Sequence, residues 1–407
     1  MTDLSLETRT PAARDASQFD CLRAQISDAQ SLAPGMAAQL AVIDPATVTD
    51  RAALAQIPLL RKSALIELQR ANPPFGGLTT RPTAEITWLF QSPGPIYEPG
   101  MDAPDWWRFG RALAAAGIGS GDIVHNSFAY HLTPAGQMFE SGARAVGASV
   151  IAGGIGNTEA QVIAASDLGA TAYAGTPDFL NVMLEKAGEL GRTLKIGTAI
   201  VSGGPLFPSL RQSYADRGIT CLQCYGTADL GLIAYETGGA DGPNPGMIVD
   251  EGVILEIVRP GTGDPVPEGE VGEVVVTLLN PDYPLLRFAT GDMSAILAGA
   301  SPCGRTNMRI KGWLGRADQT TKVKGMFVRP EQIAEITRRL NLIKARLTVD
   351  RRDEQDVMHL LYDGEADAGT VATAMRDVLK LRGTAERIAG TDMPNDGKVI
   401  DDIRKFD

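Results

Sequence analysis

The stretch with the most chemical content runs from Cys221 to Leu232, CLQCYGTADLGL. An apolar segment there meets a glycine-containing turn that carries an aromatic ring (Tyr225), a hydroxyl (Thr227) and a carboxylate (Asp229). These three groups suit a nucleotide base, a phosphate and a metal ion. Taken alone, the pattern is explained equally well by a purely structural turn.

Three later segments also combine a glycine with charged or hydroxyl side chains. RFATGD at 287–292 follows a β-type run, and GRADQTTKVKGMFVRPEQI occupies 315–333. NDGKVID at 395–401 places Lys398 beside a glycine. That lysine is either a solvated side chain or a mobile point charge on a long stem that reaches a substrate. Together these segments favour a functional interpretation of the 221–232 turn.

The elements that must position this turn alternate between short apolar runs and helical stretches. The predicted strands are DIVHNSF, SVIAG, TAYAG, IGTAIVSGG and ITCLQCYG, each separated from the next by a predicted helix. Helices of this length make crossover connections, which predicts a largely parallel sheet covered on both faces. Ligands bind at the carboxyl ends of strands in such sheets, which is where the YGTAD turn lies.

The predicted fold class is α/β, with two domains. The large N-terminal domain (1–317) holds doubly wound, mostly parallel sheets and begins with a helical wrapping segment (1–80). The runs GVILEIVRP and GEVGEVVVTLL predict an antiparallel β subdomain at 238–295. A strand and helix pattern after it predicts a small α+β domain at 318–407.

Two local predictions concern the chain that leads into the sheet. QSPGPIYEPG at 91–100 is predicted to be a turn-rich loop, because glycine and proline recur in it. A helix is predicted from about Ala103 to Gly117, with Asp102 as its cap and Pro104 in its first turn.

Composition narrows the class of protein. The chain has 407 residues, 44% of them hydrophobic, so it can bury a sizeable core. A formal net charge of -11 argues against a nucleic-acid partner, which needs clustered lysine and arginine. No apolar run is long enough to cross a bilayer, no leader pattern opens the chain, and four cysteines are too few for a disulfide scaffold. A cytoplasmic location is the expectation.

The order and spacing of these motifs resemble the adenylate-forming enzymes, which include acyl-CoA ligases, firefly luciferase and adenylation domains. More narrowly, they resemble the phenylacetate-CoA ligase family. The closer match rests on long stretches, among them 106–151, PLLRFATGD, SPCGRT and KVKGMFVRPEQI, and it extends from about Leu59 to Lys398. The resemblance implies that ATP and a small aryl or arylacetic acid form an acyl adenylate, which coenzyme A then attacks.

The resemblance also implies roles for residues of the large domain. Tyr225 would stack on adenine next to Gly226, and Thr227 would bond the α-phosphate. Asp229 would hold Mg²⁺ where the family usually has glutamate. Asp292 would accept both ribose hydroxyls, because a carboxylate suits a vicinal diol. Gly204 of AIVSGG is also implied to lie at the nucleotide.

Further implied roles belong to the boundary between the domains and to the small domain. Arg316 would contact ribose or phosphate, and Lys398 would bridge the attacking carboxylate and the phosphate. Asp318 matches the hinge about which the small domain rotates between half-reactions, as loop-hinged closures do. The same rotation would bring Lys324 and Gly325 towards the thioester site.

The sequence departs from the family where the phosphate loop is expected. That loop is usually rich in Ser, Thr and Gly, whose hydroxyls and backbone N–H groups grip phosphate. Only Ser92 and Gly94 survive in kind; the flanking prolines lack N–H donors, and Glu98 would repel phosphate. This leaves open an alternative, a non-catalytic or repurposed relative that binds AMP, an acyl adenylate or acyl-CoA.

An acyl pocket lined by aromatic side chains is expected near HNSFAYH. Its predicted lining is Tyr130, Phe139 and the Ala234–Tyr235 region, while ordinary core packing is the competing account of His125. A structural zinc site is not expected. The Cys221 and Cys224 pair is interpreted as buried apolar packing, because no histidine or second cysteine pair is near it in the sequence. A homodimer is among the alternatives for the oligomeric state.

Overall fold

The structure is a computed structural model that describes the chain except residues 1–4, 93–94, 205, 240–241, 315–316, 318, 320, 353–354, 390–391, 394–398 and 405–407. It divides into two compact units, Met1–Trp313 and Leu314–Asp407. The predicted role of the second unit as a mobile domain stays a prediction.

The first unit begins with helices that cover a β-sheet. Their bounds are α1 (Ser5–Thr8), α2 (Pro11–Leu32), α3 (Ala37–Leu40), α4 (Arg51–Leu54) and α5 (Leu65–Ala71), with strand β1 (Leu60–Arg61) between the last two. Helix α2 starts at Pro11 because the Thr10 hydroxyl accepts a hydrogen bond from the Ala13 amide. Its buried face, which includes Leu22 and Ile26, packs into the main hydrophobic core.

The prediction of a turn-rich loop at 91–100 is wrong, because this stretch belongs to a β-hairpin. Strand β2 (Trp88–Ser92) pairs antiparallel with β3 (Ile96–Gly100). Side chains alternate between the two faces: Phe90, Ile96 and Glu98 are buried, whereas Leu89 and Tyr97 are exposed. The proline and glycine content concealed this period of two.

The predicted helix from Ala103 is much shorter in the structure, where α6 spans Gly110–Ala115. Asp105 and Arg108 have positive φ angles of 49° and 68°, which no helix accommodates. The Asp105 carboxylate instead accepts a hydrogen bond from the Gly110 amide at 3.0 Å, so it caps the shorter helix.

The centre of the first unit is the predicted parallel sheet. Its elements in chain order are β4 (Ile123–Asn126), α7 (Ala135–Ala145), β5 (Ser149–Ala152), α8 (Thr158–Asp167), β6 (Ala172–Gly175), α9 (Pro177–Glu189), β7 (Thr198–Val201), α10 (Pro208–Asp216) and β8 (Thr220–Thr227). The strands pair in parallel in the order β5, β4, β6, β7, β8. Strand β9 (Gly231–Tyr235) then pairs antiparallel with β8.

The chain beyond β9 is β-rich. Strands β10 (Gly238–Gly239) and β11 (Gly242–Pro243) pair with each other, and β12 (Met247–Val249) adds to the edge of the central sheet at β9. Strands β13 (Val253–Val258), β14 (Gly272–Leu278) and β15 (Phe288–Ser294) form an antiparallel sheet that β1 joins in parallel. Strand β16 (Arg309–Ile310) completes the eight-stranded central sheet.

The second unit has its own core. Its elements are β17 (Thr321–Val323), β18 (Met326–Val328), α11 (Pro330–Arg339), β19 (Lys344–Arg352), β20 (Gln355–Asp363), α12 (Ala368–Leu379), β21 (Thr384–Arg387) and β22 (Ile400–Asp402). The four-stranded sheet has the order β21, β20, β19, β22, and both helices contribute to the apolar cluster beneath it. This mixture of parallel and antiparallel sheets with helices confirms the predicted α/β fold class. None of the described helices has both the length and the apolar character needed to cross a membrane.

Candidate active site

The predicted adenine turn lies at the carboxyl end of β8, the last parallel strand. Its register with β9 shifts between Tyr225 and Gly226. A Cβ on Gly226 would lie 2.6 Å from the Gly231 carbonyl oxygen, so a larger residue does not fit. The Thr227 hydroxyl accepts a hydrogen bond from the Leu230 amide at 3.1 Å, which closes the turn. The turn is therefore rigid and tightly packed against its own return strand.

The structure brings together two predicted nucleotide residues from different sheets. The Tyr225 hydroxyl donates to Oδ2 of Asp292 at 2.8 Å, and the Trp313 indole N–H donates to Oδ1 at 3.0 Å. Asp292 lies on β15 in the antiparallel sheet, where the Thr290 hydroxyl accepts a hydrogen bond from its amide at 3.1 Å. A carboxylate oxygen has two lone pairs and accepts hydroxyl hydrogen bonds, which fits the ribose role expected of Asp292.

Asp229 forms an ion pair that the sequence analysis missed. Lys62, which follows β1, places Nζ 2.6 Å from Oδ2 of Asp229, and the aspartate is 3% exposed. Desolvation alone lowers the pKa of Lys62, but the Asp229 carboxylate, with help from Glu98 and Asp292, raises it above its ordinary value. Nothing in the sequence links these two residues, because 167 positions separate them.

The same carboxylate has a free side. Among the described residues no donor reaches Oδ1 of Asp229, although this atom is buried. The hydroxyl of Tyr283 is likewise buried without a hydrogen-bond partner in the described part of the chain. Magnesium prefers carboxylate oxygens, so an unpaired oxygen here fits the Mg²⁺ role expected of Asp229.

Ser92, the surviving hydroxyl of the expected phosphate loop, is bonded inside the hairpin. Its amide donates to Oε2 of Glu98 at 3.1 Å, and its hydroxyl donates to Oε1. Glu98 is fully buried. Desolvation, followed by the charge of Asp229, raises the pKa of Glu98 to about 8, while Ser92 and Lys62 partly offset this rise. The sequence analysis identified Glu98 as an obstacle to phosphate but not its partners.

Phe139, one of the aromatic residues expected at the acyl pocket, packs against two other aromatic rings. Phe139 lies 4.3 Å from Phe128 and 4.4 Å from Phe109 between ring centroids. The Tyr130 hydroxyl accepts a hydrogen bond from the Asn126 amide group at 2.8 Å, and desolvation raises the pKa of Tyr130.

The other two expected pocket residues lie on β9. Ala234 is opposite Tyr225 in the strand register. Tyr235 is fully buried, and its hydroxyl donates to Glu7 of α1, whose carboxylate also accepts from the Arg305 guanidinium at 2.9 Å. These contacts give the Tyr235 side chain a structural role in fastening α1.

The remaining expected residues fall into two groups. Gly204 follows β7, and Lys324 and Gly325 form the turn between β17 and β18 with φ angles of 48° and 83°. Four residues with expected roles lie outside the described residues, namely Gly94, Arg316, Asp318 and Lys398.

Cys221, Cys224 and His125 are buried in the protein interior. Cys221 and Cys224 are buried, and desolvation raises the pKa of each thiol to about 12. His125 is buried with Nε2 2.8 Å from Oε1 of Gln161, and desolvation lowers its pKa. The sulfur of Cys303 lies 3.0 Å from the Ser301 hydroxyl.

Comparisons with known proteins agree with this geometry. A family model described as AMP-binding enzyme matches residues 129–278. Phenylacetate-coenzyme A ligase of Thermus thermophilus is 30% identical over 306 residues, which are 72% of this chain and 68% of that protein. The protein of that name from Pseudomonas putida is 30% identical over 340 residues, 79% of this chain and 72% of its own.

Solved structures show the same fold at lower identity. A crystal structure of 2-hydroxyisobutyryl-CoA ligase in complex with 2-HIB-AMP and CoA superposes with a TM-score of 0.79 at 22% identity, over 98% of this chain and 92% of that one. The resemblance predicted from the motifs is confirmed, because the sequence similarity extends over more than two thirds of both chains. The chain belongs to the phenylacetate-coenzyme A ligase family of adenylate-forming enzymes.

Proposed function

We propose that the protein is an AMP-forming ligase that activates a small aryl or arylacetic acid and transfers the acyl group to coenzyme A. The main support for this proposal is the hydrogen bond between Tyr225 and Asp292, which joins a turn of the central sheet to a strand of the antiparallel sheet. This contact supports the proposal that the Tyr225 ring binds adenine and the neighbouring Asp292 carboxylate binds ribose, near the carboxyl end of β8, where α/β proteins bind ligands.

The nucleotide is held by residues with distinct roles. Tyr225 stacks on adenine, and its bond to Asp292 fixes the orientation of the ring. Asp292 accepts the ribose hydroxyls, while Gly226 and Gly204 let the backbone approach the nucleotide. Thr227 donates its hydroxyl to the α-phosphate while it still caps the turn.

The adenylation step brings a carboxylate up to a phosphate, so it needs fixed positive charge. Lys62 supplies an ammonium beside Asp229, and Lys398 is proposed to bridge the two reacting anions, with Arg316 on the ribose or phosphate. Asp229 would hold Mg²⁺ through Oδ1. A bound Mg²⁺ neutralises phosphate charge and makes pyrophosphate a better leaving group.

The acyl group and coenzyme A occupy the other side of the site. An aryl ring is proposed to pack on Phe139 and Tyr130, with Ala234 as a further wall of the pocket, whereas the Tyr235 side chain is engaged by Glu7. For the transfer step, the second unit rotates about Asp318 and brings the turn of Lys324 and Gly325 to the thiol.

The cellular location and the oligomeric state are also proposed. A cytoplasmic location is consistent with four unpaired cysteines. A homodimer remains one alternative for the assembly. The non-catalytic alternative is less favoured, because the related proteins named phenylacetate-coenzyme A ligase match across both the nucleotide turn and the antiparallel sheet.

ATP–pyrophosphate exchange across a panel of aromatic and aliphatic acids tests this function. Exchange with an aryl acid and AMP release in the presence of coenzyme A are expected. Replacing Lys398→Ala should abolish exchange and leave AMP binding nearly unchanged. The proposal fails if no acid supports exchange and calorimetry detects no AMP binding.

A further inference from the structure

The hairpin β2–β3 contains a buried acid where an apolar side chain is expected. The inward positions of β3 are Ile96, Glu98 and Gly100, and Glu98 is 0% exposed. Burying a carboxylate is unfavourable unless hydrogen bonds and charge compensate it. The hairpin therefore needs hydrogen-bond partners for this buried acid.

The compensation comes from groups that would otherwise bind phosphate. Backbone N–H and hydroxyl groups are the donors of phosphate loops, and both such donors of Ser92 go to the two oxygens of Glu98. The Lys62 ammonium, paired with Asp229, also contributes favourable charge at Glu98.

A side chain of helix α5 holds strand β3 of the hairpin in place. Gln69 of α5 donates its side-chain N–H to the Tyr97 carbonyl at 2.7 Å and accepts from the Tyr97 amide at 2.8 Å. Gln69 is itself buried. Because Tyr97 adjoins Glu98, these two bonds fix the strand that carries the acid.

We infer that Glu98 is a specificity-determining residue of the nucleotide site: its carboxyl group occupies both Ser92 donors and disfavours a triphosphate relative to a monophosphate. This inference rests on the proposed function. Tight binding of AMP or an acyl adenylate requires only the Tyr225, Asp292 and Thr227 side of the site. The terminal phosphates of ATP require Glu98 to release Ser92.

The test measures dissociation constants of AMP, ADP and ATP by calorimetry for the full chain, Glu98→Gln and the control Glu85→Gln. Glutamine keeps the shape but has one acceptor oxygen in place of two, so it releases one of the two Ser92 donors. Glu85 is an exposed acid shortly before the hairpin. We expect Glu98→Gln to strengthen ATP binding relative to AMP about tenfold, with ADP intermediate, and Glu85→Gln to leave the ratio unchanged.

The inference is overturned if AMP binds but Glu98→Gln leaves the ratio unchanged, or if it weakens ATP alone, since Glu98 would then assist the triphosphate. Failure of every nucleotide to bind any variant would instead refute the proposed function itself.

Discussion

The Tyr225 hydroxyl and the Asp292 carboxylate meet at 2.8 Å across the boundary between two sheets, although 67 positions separate them in the chain. Tyr225 lies near the carboxyl end of β8 in the central sheet, and Asp292 lies within β15 of the antiparallel sheet. This contact lies at the centre of the candidate site.

Replacing Tyr225→Phe removes the hydroxyl and keeps the ring. We expect AMP affinity to fall about threefold to tenfold, corresponding to one hydrogen bond of about 1 kcal/mol. Calorimetry with AMP checks this. Tyr97→Phe is the control, because that ring lies on the exposed face of the hairpin and should leave AMP affinity unchanged. Equal losses in both variants would contradict the role given to the Tyr225–Asp292 contact.

Replacing Gly226→Ala should break the turn. Its Cβ would lie 2.6 Å from the Gly231 carbonyl oxygen and 3.1 Å from the Phe109 ring, so strand β9 must shift. We expect a loss of about 1–3 kcal/mol in the free energy of unfolding together with loss of AMP binding. Gly188→Ala in α9 is the matched control, because its Cβ meets nothing within 4 Å. Urea denaturation measures the free energy of unfolding of the two variants. A Gly226→Ala protein as stable as Gly188→Ala would contradict the prediction.

Replacing Lys62→Met leaves the buried Asp229 without its cation. We expect the free energy of unfolding to fall by about 1–3 kcal/mol, because an unpaired buried charge is costly. Adding Asp229→Asn in the same chain should recover part of the loss. A double-mutant cycle from urea denaturation measures the coupling between the two residues. Strictly additive effects would show that the 2.6 Å contact contributes nothing to stability.

Glu98 makes stability depend on pH in a defined direction. Its pKa rises from an ordinary 4.5 to about 8 on folding, so the folded protein binds more protons than the unfolded chain between these values. This contribution is fully present below pH 4.5 and is lost as the pH rises towards 8, with a slope of up to about 1.4 kcal/mol per pH unit. Denaturation midpoints of the unaltered protein and Glu98→Gln across pH 5 to 8.5 check it. A parallel fall in both proteins would assign the slope to other groups.

Much of the parallel sheet could be predicted from the sequence. Its strands are short apolar runs bounded by glycine, and its helices have the length that crossovers need, so local pattern and global fold agree. The hairpin at 88–100 and the shortened helix α6 could not be predicted. Proline and glycine concealed the alternation of the first, and the helix start depends on the positive φ angles of Asp105 and Arg108.

The sequence by itself determined the family and the residue types of the nucleotide turn, because motifs such as YGTAD and RFATGD are local and ordered along the chain. Only the tertiary structure decided who their partners are. The ion pair of Lys62 with Asp229 joins residues that are 167 positions apart, and the Ser92–Glu98 contact depends on a hairpin that the sequence pattern did not reveal. Burial then raises the pKa of Glu98, since a pKa depends on the surrounding solvent and charges, which no sequence pattern encodes.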